Sequence, residues 1–217
     1  MKKILILSLV AALVYAGCKK PENTVSIIHT YSTPNITITG SIYYSIKPGG
    51  TLPAISATAV DTFYHENCEV VVDQSTLDVN TPGLYNVVLS AKNKYGMKGT
   101  KSVFVAVTNI SDSLNLSGWY NRLATPNRST FVSKLSRGMF MTSNVGGVDT
   151  VTQASSIVSA VFAVTSPADI DFGSQLTSAG TLTTSQNGLA MVPGDTTISY
   201  ALALSGFGTQ VRTFTKQ

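Results

Sequence analysis

Leu84-Tyr85-Asn86-Val87-Val88-Leu89-Ser90-Ala91 is the clearest structural signal in this 217-residue chain. Every second residue from Tyr85 to Ala91 is apolar, so the run predicts a β-strand with one buried face. Residues 102–108 repeat this alternation with three valines. The intervening Asn93-Lys94-Tyr95-Gly96 contains the Asn and Gly that favour short turns with positive φ. The sequence therefore predicts a β-hairpin in this region.

The segments around the hairpin resemble a known family. They are Thr81-Pro82-Gly83-Leu84-Tyr85-x-Val87, Ala91-x-Asn93-x-x-Gly96 and Val103-x-Val105-x-Val107, and they are similar to the closing strands of bacterial immunoglobulin-like domains. Asn93 stands where that family has Asp, and Asn serves the same turn chemistry. The resemblance implies an immunoglobulin-like β-sandwich over residues 35–108. Further strands of this sandwich are predicted at residues 43–46, 55–60 and 69–72.

A second all-β domain is predicted at residues 116–217, after a polar connector at 109–115. Turn signals separate about eight short apolar runs, which favours an antiparallel β-sandwich or a small barrel. The predicted strands are 118–122, 130–135, 138–143, 157–165, 180–184, 188–192, 196–204 and 208–215. The signal Asn187-Gly188 predicts a turn between two of them. The whole chain is therefore expected to be all-β.

Three segments of the second domain resemble a second family. They are Leu116-Ser117-Gly118-Trp119-Tyr120-Asn121-Arg122, the stretch Gly138…Asn144-Val145-Gly146-Gly147-Val148, and Gly206-Phe207-Gly208-x-x-x-Arg212-Thr213-Phe214. They are similar to an uncharacterised C-terminal domain of outer-membrane lipoproteins from the bacterial phylum that includes gut polysaccharide degraders. The resemblance implies a place in a glycan-utilisation system and brings no known catalytic residues.

The N-terminus predicts export and a lipid anchor. Met1-Lys2-Lys3 precedes a 13-residue apolar run, which is typical of a secretory signal peptide at residues 1–17. Thirteen helical residues span only about 20 Å, too short for a ~30 Å hydrocarbon core. Ala16-Gly17-Cys18 resembles the lipobox of bacterial lipoproteins. The resemblance implies that Cys18 is acylated. Residues 18–34 show little periodicity and are expected to form a tether. Together with the resemblance of the C-terminal domain, this implies a protein on the outer membrane, facing either the cell surface or the periplasm.

Composition excludes some partners. The formal charge of +4 includes Lys2 and Lys3, so the mature chain carries +4 − 2 = +2. A net charge this small does not indicate a protein that binds nucleic acid. Only 12% of the residues are charged, which is typical of a neutral polar surface. With Cys18 acylated, Cys68 is the only other cysteine, and no intrachain disulfide is expected.

The sequence contains few residues in patterns that are typical of catalytic sites. His65-Glu66 begins like a zinc-binding His-Glu-x-x-His motif, but position 69 is Glu and a strand follows, so we expect a solvated loop there. Asp169 and Asp171 alternate on one strand face, which favours a turn-edge role over a glycosidase pair. A nucleophile elbow is also lacking. We therefore predict no catalytic residues, no metal and no cofactor.

Trp119, Tyr120, Asn121 and Arg122 are the candidate ligand-binding residues. Sugar rings stack their C–H faces on aromatic rings and need polar side chains beside them, and these four residues supply both. In a strand, Trp119 and Asn121 share one face, while Tyr120 and Arg122 share the other. The only Trp of a small β domain usually fills the core, so Trp119 is either core or a surface platform.

These observations favour a non-catalytic cell-envelope lipoprotein that binds glycan at the surface as an accessory of glycan capture. The alternative is a structural spacer or a protein–protein interaction subunit of an envelope complex. An exposed aromatic ring beside Asn, Asp or Arg favours binding, and a broad apolar patch without a cleft favours the spacer.

Overall fold

The computed structural model describes residues 32–122, 125, 127–192 and 194–217. The predicted signal peptide, Cys18 and the first fourteen residues of the predicted tether, 18–31, lie outside the described residues. No helix in the described ranges is long and apolar enough to cross a membrane. Sixteen strands and one 3₁₀ helix account for the regular structure of these ranges, and the predicted all-β class is confirmed.

The N-terminal half contains seven strands, which are β1 (Asn35–Thr39), β2 (Tyr43–Ile46), β3 (Ser56–Asp61), β4 (Glu66–Cys68), β5 (Val70–Asp73), β6 (Gly83–Lys92) and β7 (Lys98–Val107). The C-terminal half contains nine, which are β8 (Gly118–Arg122), β9 (Ser129–Ser136), β10 (Met139–Thr142), β11 (Ala160–Ser166), β12 (Asp169–Asp171), β13 (Gln175–Thr177), β14 (Gly180–Ala190), β15 (Thr197–Ala203) and β16 (Val211–Lys216). The 3₁₀ helix, Ala154–Ser156, precedes β11.

The N-terminal half is a two-sheet sandwich. One sheet has the strand order β1-β3-β4 and the other β2-β7-β6-β5. Alternate apolar residues of both sheets, among them Ile36, Val87 and Val103, form the core between them. The predicted hairpin is present as β6 and β7, which pair antiparallel with Leu84 opposite Ala106. Gly96 ends its turn with a φ of +80°, the positive value that the turn signal predicted.

The C-terminal half is one curled sheet. Its order is β12-β11-β10-β9-β8-β16-β15-β14-β13, and β12 and β13 at its two ends do not pair as strands, but hydrogen bonds link the two ends. The Leu189 amide on β14 donates to the Ala168 carbonyl beside β12 over 2.9 Å. The buried Gln175 side chain on β13 bonds to both backbone groups of Val161 on β11. Six aromatic rings fill the interior, from Tyr120, Phe140, Phe162, Phe172, Tyr200 and Phe214. The sheet thus has a half-barrel form.

The two halves share a third apolar cluster. Strand β11 is buried on both faces, because Phe162 points into the curled sheet while Val161 and Ala163 point toward the sandwich. There they meet Leu84 and Ala106 of the hairpin. Residues 32–217 are one compact unit by their contacts. The boundaries at 35–108, 109–115 and 116–217 stay a prediction.

Two local expectations were wrong. The Asn187-Gly188 signal does not end a strand, because β14 continues through it with a register shift and a positive φ of 53° at Gln186. A bulge therefore uses the residues that a hairpin turn also favours. The expected loop after His65 contains β4, which pairs with β3 through Cys68 opposite Ala59.

Candidate functional site

Strand β8 places the four candidate residues in three different environments. It lies between β9 and β16 in the curled sheet. Trp119 and Asn121 are exposed on the outer face, Tyr120 is in the core, and Arg122 is half-buried at one end of the sheet. The predicted alternation of faces is therefore present, and the four side chains do not form one site.

Trp119 is a surface residue. Its side chain is 55% exposed, and its ring packs edge-on against Phe131, with ring centroids 5.3 Å apart. The two residues are opposite each other on β8 and β9. Asn121 lies on the same outer face, and its cross-strand neighbour on β16 is Thr215. The outer face thus presents one aromatic pair beside neutral polar side chains, which we call the Trp119 face.

Tyr120 is a core residue, and its assignment as a ligand-binding side chain is corrected. Its side chain is fully buried, and its hydroxyl donates to the Leu116 carbonyl over 2.8 Å. Burial raises the pKa of this hydroxyl to about 12. A ring enclosed by the curled sheet offers no face to a ligand.

Arg122 lines a cleft of about 580 Å³ at one end of the curled sheet. Arg128 and Arg212 line the same cleft, so three of the chain's four arginines meet there. The Arg122 amide donates to the Arg128 carbonyl over 2.9 Å. Arg122 is opposite Phe214 on β16, and Arg212 lies two residues before Phe214 on the same strand. The side chains of Arg122 and Arg212 therefore lie on the same face of the sheet. We call this the arginine cleft.

The loop at residues 144–148 supports the arginine cleft. Asn144 is buried, and its amide donates to the Ser129 and Val148 carbonyls over 3.0 and 2.9 Å. Its Oδ1 accepts from the Val148 amide, and its carbonyl accepts from Gly147. Asn144 therefore fixes the loop from within.

Three consecutive carbonyls of this loop each accept a bond from a different side chain. The Tyr200 hydroxyl donates to Val145 O over 2.8 Å, and Arg212 Nε donates to Gly146 O over 2.8 Å. Arg122 Nη1 donates to Gly147 O over 3.3 Å. The loop thus holds two guanidinium groups by backbone dipoles.

The two glycines are required by this arrangement. A Cβ on Gly146 would lie 2.2 Å from the Phe207 ring, and Gly147 has a φ of +56° with Phe214 2.8 Å from its Cβ position. Any side chain at either position would displace a ring that lines or underlies the arginine cleft.

Among the residues that the structure describes, no carboxylate forms an ion pair with an arginine of the cleft. Burial, and then the nearby charge of Arg128, lowers the pKa of Arg122; burial, and then Arg122, lowers that of Arg212. The ion pairs between described residues involve Lys94 and Lys134 rather than any arginine. Asp149 lies within electrostatic reach of Arg128, but its carboxylate accepts from the Val151 and Thr152 amides.

Neutral polar groups and one ring complete the lining of the arginine cleft. Ser155 and Ser156 come from the 3₁₀ helix, and Ser178 and Ser205 come from the turns before β14 and β16. Phe207 adds an aromatic ring. Hydroxyls, guanidinium groups and a ring in one concave surface suit a small polar, anionic ligand.

The remaining candidates show structural roles. Asp171 accepts from the Leu84 and Gly173 amides over 2.8 and 2.9 Å, whereas Asp169 is exposed. Cys68 is a half-buried free thiol. Within the described ranges, no group of three or more His, Cys, Asp or Glu residues could hold a metal ion.

Sequence reasoning found Arg122 and missed its partners. Arg128 and Arg212 are 84 residues apart, and only the pairing of β8 with β16 brings them together. The sequence contained one signal for this cleft. Each of the three segments that carry the C-terminal resemblance contributes to the lining of the arginine cleft. The lining residues are Arg122 from the first, Gly146 and Gly147 from the second, and Phe207 and Arg212 from the third.

No family model and no curated protein matches the chain. Among solved structures, it is similar to the crystal structure of the lipoprotein BT2262 from Bacteroides thetaiotaomicron. The two are 20% identical with a TM-score of 0.37, over 85% of this chain and 100% of the other. A similarity of this degree leaves the function to be inferred from the surface of the chain itself.

Proposed function

We propose that this protein is a non-catalytic, lipid-anchored envelope protein that binds glycan through the Trp119 face. The observation that carries the proposal is the exposure of Trp119, whose side chain is 55% accessible on a strand of the curled sheet. Cys18, outside the described residues, is the proposed lipid attachment site. The outer membrane is the proposed location.

The Trp119 face has the parts that a sugar-binding surface needs. Phe131 contacts the Trp119 ring edge-on and restricts its orientation, so little side-chain freedom is lost when a ligand binds. Asn121 on the same face supplies an amide for sugar hydroxyls. Such a flat single-ring site gives weak affinity, on the order of 0.1–1 mM, or about −4 to −5.5 kcal/mol. Many anchored copies would bind a polymer more tightly through avidity.

The same aromatic pair supports a second candidate function. Exposed Trp and Phe side chains also anchor protein–protein interfaces, so a spacer or interaction subunit would use the same surface. The two functions differ in the ligand, not in the residues, and one experiment separates them.

Affinity electrophoresis of the full chain in gels containing a panel of neutral polysaccharides tests the proposal. We expect retardation by at least one polysaccharide, and its loss in Trp119→Ala. Phe63→Ala is the matched control, because Phe63 is also an aromatic residue with 55% exposure but lies at a turn of the sandwich.

Stability must be measured beside binding. Trp119→Ala removes an exposed edge-on ring pair, so we expect a loss of only about 1 kcal/mol. Lost retardation with this small change supports the Trp119 face. If no neutral polysaccharide retards the wild-type chain, glycan binding at this face is refuted and the spacer function is favoured.

A further inference from the structure

The arginine cleft contains more positive charge than the fold needs. Arg212 is only 4% exposed, and it donates to the carbonyls of Gly146, Phe207 and Gln210. Arg122 donates one long bond of 3.3 Å to the Gly147 carbonyl, and the ion pairs among the described residues include no arginine. Desolvated guanidinium groups are costly without anionic partners. The positive charges of Arg128 and Arg122, and those of Arg122 and Arg212, also repel each other. Grouping the three guanidinium groups in one cleft therefore costs free energy of folding.

The anionic partner of these arginines would be a ligand that enters the cleft from solution. Arginine presents a planar fork of donors that matches a carboxylate or sulfate group in two-point contact. Backbone carbonyls of Gly146 and Gly147 orient Arg212 and Arg122. Concentrated positive charge in a concave surface attracts anions over the distance that salt screening allows.

The rest of the lining favours a sugar over a bare ion. Ser155, Ser156, Ser178 and Ser205 offer hydroxyl groups, and Phe207 offers a ring. A volume of about 580 Å³ is far larger than one small anion needs, and it falls within the range of roughly 300–1,000 Å³ for small-molecule sites.

We propose that the arginine cleft binds an acidic saccharide and that Arg122 and Arg128 contact its carboxylate or sulfate group. The proposal rests on the proposed function only for the ligand class, since the arginine cleft and the Trp119 face use different sides of β8.

Isothermal titration of the full chain in detergent micelles tests this site. The probes are oligogalacturonate, whose anions are carboxylates, a sulfated oligosaccharide, a neutral oligosaccharide of similar length, and inorganic sulfate and phosphate. We expect one acidic oligosaccharide to bind more tightly than the inorganic anions and to weaken as salt rises. Which of the two binds identifies the anionic group.

Matched variants locate the binding. Arg128→Gln should weaken acidic-oligosaccharide binding about tenfold, the loss expected for one charge-assisted hydrogen bond. Arg137→Gln is the control, because Arg137 is the one arginine outside the cleft and the substitution removes the same charge. If Arg128→Gln alters the melting temperature, the affinity of Arg122→Gln for the acidic oligosaccharide is measured instead. Trp119→Ala should leave this binding unchanged.

Each outcome decides a different question. Binding of the neutral oligosaccharide alone, lost in Trp119→Ala, refutes the arginine cleft and retains the Trp119 face. Equal weakening by Arg128→Gln and Arg137→Gln means attraction by net charge and refutes the site. Inorganic anions that bind as tightly as the oligosaccharides refute the saccharide class. Absence of binding to both acidic oligosaccharides refutes the arginine cleft as a saccharide site, and the polysaccharide panel then decides the Trp119 face separately.

Discussion

Gln175→Leu is expected to weaken the closure of the curled sheet. Gln175 is 4% exposed, and its Oε1 accepts from the Val161 amide over 2.9 Å. Its Nε2 donates to the carbonyls of Val161 and Phe172 over 2.8 and 2.7 Å. The side chain therefore pairs with β11 where the pairing of β12 with β11, which begins at Ala163, does not reach.

The magnitude follows from three backbone groups that lose their partners. At about 1–2 kcal/mol for each unpaired buried group, the loss is roughly 3–6 kcal/mol. Burial of the apolar leucine side chain offsets roughly 2 kcal/mol. The expected net loss in the free energy of unfolding is therefore about 1–4 kcal/mol.

Urea unfolding followed by circular dichroism measures this loss. Gln74→Leu is the control, because Gln74 is exposed in a turn and its side chain makes no such contacts. Gln175→Glu separates hydrogen bonding from packing. Its carboxylate would face two carbonyl oxygens, so the variant should be less destabilised at pH 4 than at pH 7. A loss below about 0.5 kcal/mol for Gln175→Leu, typical of a surface substitution, would show that Gln175 does not stabilise the closure of the curled sheet.

Two further predictions concern acid stability and anchoring. Hydrogen bonds from Ser32, then from Asn93 and the Tyr64 and Phe63 amides, outweigh burial and lower the pKa of Asp61 to about 2 from 3.8. This carboxylate therefore stabilises the fold above pH 3.8, and its contribution is lost as pH falls toward 2. Asp61→Asn should reduce the change in urea midpoint between pH 5 and pH 2, and an unchanged dependence would contradict this assignment. Cys18→Ser should move the protein from the membrane pellet to the soluble fraction, because acyl chains contribute about 0.8 kcal/mol per buried CH₂; a pellet fraction equal to the wild type would exclude the lipid anchor.

Local pattern was enough for the longer strands and failed for the shortest ones. The predicted runs at 43–46 and 118–122 coincide with β2 and β8, because alternation and flanking turns specify a strand that is buried on one face. Strands β4 and β13 have three residues each, too few for any period to be visible, whereas the three-residue β12 was indicated by the alternation of Asp169 and Asp171 around Ile170. Their formation depends on the strands that they pair with.

The candidate site shows the same division between local and long-range information. The alternation in β8 predicted that Trp119 and Tyr120 face opposite ways, but it could not show which face is buried. That depends on how β16 and β9 close around β8, and the contact of β8 with β16 joins residues about ninety positions apart. The arginine cleft needs the same closure, so its residues are scattered in sequence and adjacent only in the folded chain.

The loop carbonyls that accept hydrogen bonds from Tyr200, Arg212 and Arg122 also affect how fast an anion binds and leaves the arginine cleft. An arginine held by a carboxylate must exchange one ion pair for another when an anion arrives, which slows the encounter. Arg122 is half-buried and is held by a carbonyl dipole, so it forms no internal ion pair that an anion would have to break. An anion that reaches Arg122 therefore displaces no ion pair, and its association rate constant should fall steeply with ionic strength while its dissociation rate constant changes little.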